Sequence, residues 1–137
     1  MSLLSRPKPR MSVYDKPYWD FVQNRELRLQ RCSSCGQFRY PPGPLCPQCL
    51  SEAADWAALS GFGSVLGWTV FHRQYFPELP IPYAVISVQT REGPLLIGNL
   101  VNAGGLKVEI DMPVAAVFED VESPDGTWRI CQWEPSR

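Results

Sequence analysis

The C-terminal part of the chain alternates short apolar runs with turn-forming residues. From Ser64 onward, runs rich in valine, isoleucine, phenylalanine and tryptophan recur as SVLGWTVFHR, YAVISVQT, PLLIGNLV, PVAAVFED and TWRICQW. Between them lie TREG, NAGGLK and SPDG, whose glycine and proline residues suit hairpins and tight turns. Five strands of this kind predict a small β-barrel. Greek-key closure of five strands makes an OB-fold, although strand spacing alone does not separate it from an SH3-like barrel.

The N-terminal part of the chain carries a different pattern. In YDKPYWDFVQNRE, Tyr18, Trp19 and Val22 share one side of a helix that starts near Asp15 and Pro17. The following ELRLQRC alternates apolar and polar residues, which predicts a strand. The stretch ADWAALSGFG, which ends in glycines, is interpreted as a connector to the barrel.

Two Cys-x-x-C pairs stand between this strand and the connector. Cys32 and Cys35 form the first pair, and Cys46 and Cys49 form the second, ten residues further along. Each pair lets a tight turn point two thiolates at one ion, and two such turns complete a tetrahedral site. The spacing therefore predicts a structural metal site occupied by zinc. Iron fits four thiolates as well, and a redox dithiol or disulfides are the remaining alternatives.

The predicted fold is mainly β. It combines a short N-terminal helix, a zinc ribbon and a C-terminal five-stranded, OB-like barrel. The predicted boundaries are a flexible N-terminus at 1–13, the helix at 14–26, the zinc ribbon at 27–55 and the OB-fold domain at 56–137.

Composition and charge narrow the function. No apolar run nears the roughly 20 residues that cross a bilayer, and MSLLSRPKPR lacks the apolar core of a secretory signal, so we expect a cytoplasmic protein without a membrane partner. Residues 1–39 carry eight Lys/Arg and three Asp/Glu, a net charge of +5, whereas residues 40–137 carry five and eleven, a net charge of −6. An acidic barrel repels a polyanion. A nucleic-acid-binding zinc-ribbon and OB-fold protein is therefore the alternative rather than the main interpretation.

The chain offers no catalytic set of residues. Its single histidine, His72, ends a strand without a nucleophile motif beside it, and we interpret it as a polar residue at the barrel rim rather than a general base. Cys131 shares a strand face with Arg129 and Trp133, which favours a partly buried thiol over a nucleophile. We therefore expect no enzymatic activity from this chain on its own.

The order of these motifs resembles one known family. The motifs that carry the resemblance are Y-W-D-F in the helix, R-C-S-S-C-G and Y-P-P-G-P-L-C-P-Q-C around the two cysteine pairs, S-G-F-G at the start of the barrel and M-P-V at the start of a strand. The chain resembles the OB-fold acyl-CoA-associated family with an N-terminal rubredoxin-like zinc ribbon, which is domain-of-unknown-function family thirty-five. The resemblance covers residues 14 to about 134. Family members often have glycine before Met-Pro-Val, where this chain has Asp111.

The resemblance implies a subunit of a hetero-oligomer. Members look like partners of thiolase-superfamily enzymes, including thiolases and the thiolase-like aldolases of steroid side-chain breakdown, and some are fused to or paired with hydratase-type folds. The implied role is a zinc-binding accessory subunit of lipid or steroid metabolism. Its partner is a thiolase-like or aldolase subunit, and acyl-CoA is met through the complex.

Aromatic and basic residues around the ribbon are the predicted contacts to the partner or to CoA. Aromatic side chains anchor interfaces, and arginine pairs well with the phosphates of CoA. The alternatives are that the aromatic residues pack the helix onto the ribbon and that the arginines form a solvated basic face. The predicted contact residues are Tyr18, Trp19, Arg28, Arg31, Phe38, Arg39 and Tyr40.

Overall fold

The computed structural model describes residues 4–6 and 8–136, without the side chains of Leu4 and Ser5. Nine strands and one short helix make up this part of the chain, so the prediction of a mainly β fold is confirmed. The elements are β1 (Leu4–Ser5), α1 (Lys16–Gln23), β2 (Arg28–Cys32), β3 (Phe38–Arg39), β4 (Ala54–Ala58), β5 (Phe62–Phe71), β6 (Tyr83–Thr90), β7 (Leu95–Asn99), β8 (Pro113–Ser123) and β9 (Gly126–Pro135).

Strands β5 to β9 close into the predicted five-stranded barrel. β5 pairs with β6, β6 with β7, β8 with β9, and the start of β5 with the start of β8, all antiparallel. A parallel bridge between Leu100 and Trp133 joins the end of β7 to β9, and the Val101 amide donates to the Trp133 carbonyl over 2.8 Å. The order β5-β6-β7-β9-β8 around the barrel is that of an OB-fold, which settles the alternative left open by strand spacing.

One apolar core runs from the barrel into the ribbon. Barrel side chains such as Val65, Ile86 and Trp133 are fully buried, and Leu27 and Leu29, from just before and within β2, belong to the same cluster. A ribbon of this size has little core of its own, so sharing one with the barrel supplies the apolar burial that it lacks.

Positive backbone angles fall at the predicted turns. Gly93 and Gly126 have φ of 117° and 116° in the β6–β7 and β8–β9 hairpins, a region that suits glycine. Asp111, which precedes Met-Pro-Val, has φ of 65°. Its amide donates to the Val65 carbonyl over 2.8 Å, which sets the start of β8 beside β5.

Helix α1 is shorter than the predicted 14–26. It starts after Asp15 with Pro17 in its first turn. It ends at Gln23 because Arg25, with φ of 61°, turns the backbone so that the Glu26 amide donates to the Phe21 carbonyl over 2.9 Å. The Gln23 side chain donates to the Arg129 carbonyl over 3.0 Å, and the Arg129 amide donates back to it over 2.9 Å. The helix is therefore fastened to β9.

The ribbon sheet has the strand order β3-β2-β4. The prediction that ADWAALSGFG is a connector was wrong for its first half, because Ala54–Ala58 pairs antiparallel with the whole of β2. Its short run of alanines around Trp56 carries little strand propensity, and the strand forms because it completes the ribbon sheet.

The N-terminal segment predicted as flexible contains a short strand. Leu4–Ser5 pairs parallel with Val121–Glu122 of β8, while residues 1–3 and 7 lie outside the described residues, as does residue 137. Next to this strand, the Arg6 guanidinium donates to Asn99 Oδ1 over 2.7 Å.

At eight residues, α1 is too short to cross a bilayer, and no other helix occurs in residues 4–6 and 8–136 that would be long and apolar enough.

Candidate metal centre

The two Cys-x-x-C segments fold into matching turns. In the first, the Gly36 amide donates to the Cys32 carbonyl over 3.0 Å, and in the second the Leu50 amide donates to the Cys46 carbonyl over 2.9 Å. The residue after each pair is left-handed, with φ of 79° at Gly36 and 64° at Leu50. Because both turns need this conformation, Leu50 adopts a backbone geometry that L residues disfavour.

The four thiols converge on one point. All four Sγ atoms lie within 4.8 Å of one another. The Sγ atoms of Cys32 and Cys49 are 3.6 Å apart, as are those of Cys35 and Cys46. A tetrahedral ion with metal–sulfur bonds near 2.3 Å separates its sulfurs by about 3.8 Å, so the set fits one four-coordinate metal ion. Cys131 lies on β9 and is not part of this cluster.

Backbone amides favour thiolate forms in the cluster. The Cys35 amide, which donates to the Cys32 sulfur over 3.5 Å, is the main cause that lowers the pKa of Cys32 to about 6. The pKa of Cys46 is also lowered, chiefly by the Cys49 amide. One thiol in each turn is therefore prepared to bind a cation before the metal arrives.

The loop between the turns is held by buried polar groups, one of which corrects a predicted contact. Arg39 was expected to face the partner or CoA, but it is only 3% exposed. Its guanidinium donates to the Gly43 carbonyl over 2.9 Å and to the Ser51 carbonyl over 3.2 Å, while the Gly43 amide donates to Gln30 Oε1 over 2.9 Å. Arg39 therefore ties the proline-rich loop to the second turn.

Arg28 and Arg31 do not form one basic face. They are three positions apart on β2, and alternation along a strand places them on opposite sides of the sheet. Arg28 packs over Phe21 and pairs with Glu26 over 3.2 Å, whereas the exposed Arg31 packs over Phe38. The arginines predicted to contact the partner or CoA therefore do not share one face of the described ribbon.

The predicted aromatic contacts mainly join the helix, the ribbon and the barrel. Tyr18 and Phe38 pack against the apolar core. Trp19 meets Trp128 of β9 with ring centroids 5.5 Å apart, and Tyr18 meets the half-exposed Tyr40 at 6.2 Å. Of the aromatic set, Tyr40 has the largest exposed fraction, 42%.

An open cleft of about 390 Å³ lies between the helix, the ribbon and the barrel, and its aromatic lining is Tyr18, Trp19, Tyr40 and Trp128. A polar network lies on the barrel side of this cleft. The Asn99 backbone amide donates to Gln132 Oε1 over 2.8 Å, and Gln132 Nε2 donates to the side-chain Oδ1 of Asn99 over 3.0 Å. The sequence gives no sign of this network, because its members are 33 residues apart and meet only through barrel closure.

Neither of the two residues considered for catalysis is hydrogen-bonded to an acidic or basic side chain of the described residues. His72 is exposed just after β5 and makes no hydrogen bond with the described residues. Burial raises the pKa of Cys131 to about 12, which keeps it a neutral thiol at physiological pH. Neither has the partners of a nucleophile or a general base.

Two family models match consecutive parts of the chain. One describes the rubredoxin-like zinc ribbon domain of ChsH2 and matches residues 19–54, and the other describes the C-terminal OB-fold domain of ChsH2 and matches residues 56–119.

Similar proteins include subunits and scaffolds. A 3-oxo-4,17-pregnadiene-20-carboxyl-CoA hydratase alpha subunit of Mycobacterium tuberculosis is 35% identical over 86% of this chain. The chain spans only 36% of that protein's length. A DUF35 domain-containing scaffold protein of Methanocaldococcus jannaschii is 30% identical over 79% of this chain and 78% of its own. Among solved structures, a chain of the Ltp2-ChsH2(DUF35) aldolase matches with a TM-score of 0.84 and 33% identity, covering 93% of this chain and 98% of that one.

Proposed function

This chain belongs to the DUF35 family of zinc-ribbon and OB-fold proteins, and from that premise we propose that it is a zinc-binding accessory subunit of a thiolase-superfamily enzyme. The enzyme would be a thiolase or a thiolase-like aldolase that acts on acyl-CoA thioesters. The observation that carries the proposal is the match to a chain of the Ltp2-ChsH2(DUF35) aldolase over 98% of that chain, so that the whole of the matched subunit has a counterpart here.

The metal in this proposal is structural zinc held by Cys32, Cys35, Cys46 and Cys49. Four thiolates close the coordination sphere and leave no position for water or substrate. The ion would hold the two cysteine turns together. Because Leu27 and Leu29 pack the ribbon against the barrel, the metal-bound ribbon would also hold that end of the barrel in position for the partner.

The partner, in this proposal, supplies the catalytic residues. The isolation of His72 and the neutral state of Cys131 support this division of labour. Its substrate class would be acyl-CoA with a lipid or steroid acyl group, and the relative from M. tuberculosis, named for a steroid-derived CoA thioester, supports that choice.

A hydratase partner is the second candidate. It is favoured by the hydratase alpha subunit of M. tuberculosis, about a third of whose length corresponds to this chain. The same barrel would then serve a hydratase-type fold. The two candidates differ in which enzyme class forms a stable complex with this chain.

Co-expression separates these possibilities. The chain would be produced with each thiolase-superfamily and each hydratase-type enzyme encoded by its host, and complexes measured by size-exclusion chromatography with light scattering. The proposal expects a stable complex with a thiolase-superfamily enzyme. A complex with hydratases alone would favour the second candidate, and nucleic acid that co-purifies and is removed by high salt would favour the nucleic-acid alternative.

A further inference from the structure

The end of β5 beyond Ser64 and the β5–β6 loop form an apolar arm, along which β8 no longer pairs with β5. β7 pairs with β6 only from Val85 to Gln89, and β8 pairs with β5 only from Phe62 to Ser64. The six exposed large apolar side chains of the arm are Leu66, Trp68, Val70, Tyr75, Phe76 and Ile81.

One edge of this arm is open. Residues 67–71 pair with β6 on one side, Leu66 forms a bulge, and no other strand or loop of the described chain hydrogen-bonds to the opposite edge of this segment. Folded proteins usually protect such edges with lysine, proline or a covering element. The segment Leu66–Gly67–Trp68–Thr69–Val70–Phe71 has no charge and no proline.

The arm is also preorganised. On its second face Phe71 packs against Tyr83 with ring centroids 5.0 Å apart and against Tyr75 at 6.2 Å. The Gln74 side chain donates to the carbonyls of Pro77 and Leu79 over 3.2 and 3.1 Å, which fixes the loop. A surface already held in shape loses little entropy when it binds.

The exposed area of the arm suits a protein interface. Its six apolar side chains are 39% to 58% exposed. With about 200 Å² for a fully exposed large side chain, they present roughly 550 Å² of apolar surface. A standard interface buries about 800 Å² per partner, of which roughly 60% is apolar. The arm therefore supplies the apolar part of one such interface.

We propose that the apolar arm is the surface on which the thiolase-superfamily partner docks, with Trp68 as its anchor. This inference rests on the proposed function. A second copy of the chain is disfavoured because residues 40–137 carry a net charge of −6, and two barrels joined at their arms would place like charges together. A different protein avoids that repulsion and covers the open edge.

The test measures partner affinity for matched variants by biolayer interferometry. The partner is the thiolase-superfamily enzyme recovered by co-expression, and Ltp2, named in the matched aldolase, serves as a second probe. Trp68→Ala removes the anchor, and Val70→Lys places a charge at the open edge. Ile97→Lys is the control, because Ile97 pairs with Ser87 and therefore lies on the sheet face opposite to Trp68 and Val70, and it is 71% exposed. Thermal unfolding and zinc content are measured for every variant, so that misfolded proteins are recognised.

The expected result is a loss of partner affinity of about 30-fold or more for Trp68→Ala and Val70→Lys, and a change of less than about twofold for Ile97→Lys. Unchanged affinity in both folded arm variants would overturn the docking inference and leave the proposed function standing. No wild-type complex would overturn both. A wild-type homodimer that Val70→Lys dissociates, with partner binding unaffected, would assign the arm to a second copy and overturn the inference.

Discussion

Replacing Leu50 by glycine should strengthen the metal centre, although it removes an apolar side chain. Leu50 follows the second Cys-x-x-C pair with φ of 64°, and Gly36 follows the first with φ of 79°. The two turns perform the same task, and only the first has the residue that the geometry favours. The reciprocal change, Gly36→Ala, should weaken the site.

The magnitudes follow from the local contacts. A left-handed L residue costs about 1 to 2 kcal/mol, whereas glycine costs roughly 0.5 to 1 kcal/mol in unfolded-state entropy. Leu50 is 71% exposed, so its side chain adds little packing, and Leu50→Gly should stabilise the ribbon by about 0.5 to 1 kcal/mol. A Cβ on Gly36 would meet Arg31 Nη2 at 3.7 Å without a clash, so Gly36→Ala should cost only the backbone term, about 1 kcal/mol.

Metal affinity is the sensitive assay, because ribbon folding and metal binding are linked. Competition with a chromophoric chelator should show about two- to fivefold tighter zinc binding for Leu50→Gly and about fivefold weaker binding for Gly36→Ala. Weaker binding by Leu50→Gly, or no effect of Gly36→Ala, would refute the view that backbone strain separates the two turns.

Three further outcomes are expected. Cys46→Ser should lose the metal, whereas Cys131→Ser should keep one ion per chain, as measured by elemental analysis; stoichiometric metal in the Cys46 variant would contradict the site. Arg39→Met should destabilise the chain by about 2 kcal/mol in denaturant unfolding, because two half-buried carbonyls lose a charged donor; an unchanged midpoint would contradict a structural role for Arg39. The pKa of Cys131 is raised from 9.0 to about 12, so this thiol favours the folded state below pH 9 and its contribution is lost as the pH rises towards 12. Cys131→Ser should therefore flatten the alkaline stability profile between these values, and an equally steep profile in the variant would contradict the assignment.

Local patterns were enough to predict the cysteine turns and the barrel strands. The spacing of Cys32, Cys35, Cys46 and Cys49 places two thiols in each turn, because each turn is closed by hydrogen bonds within a few residues. The apolar runs of β5 to β9 likewise carry their own strand propensity. Barrel closure between Leu100 and Trp133 required the structure, since it joins residues far apart in sequence.

The contact residues were harder to predict because sequence does not show which apolar or charged side chains find partners inside the fold. Arginine is usually exposed, yet Arg39 is buried and its guanidinium donates to two carbonyls of the ribbon. Trp68 and Val70 fit the pattern of core strand residues, but they lie past the point where β8 stops pairing with β5. The exposed arm follows from the lengths of neighbouring strands, which no local pattern reports.

Turnover of acyl-CoA thioesters by three preparations tests the central claim most directly. The chain alone, the thiolase-superfamily partner alone and their purified complex would be assayed with the same substrates. The account predicts no turnover by the chain alone and higher turnover by the complex than by the partner alone. Steady turnover by the pure chain, abolished by His72→Ala, would contradict the account, and so would full activity of the partner without the chain.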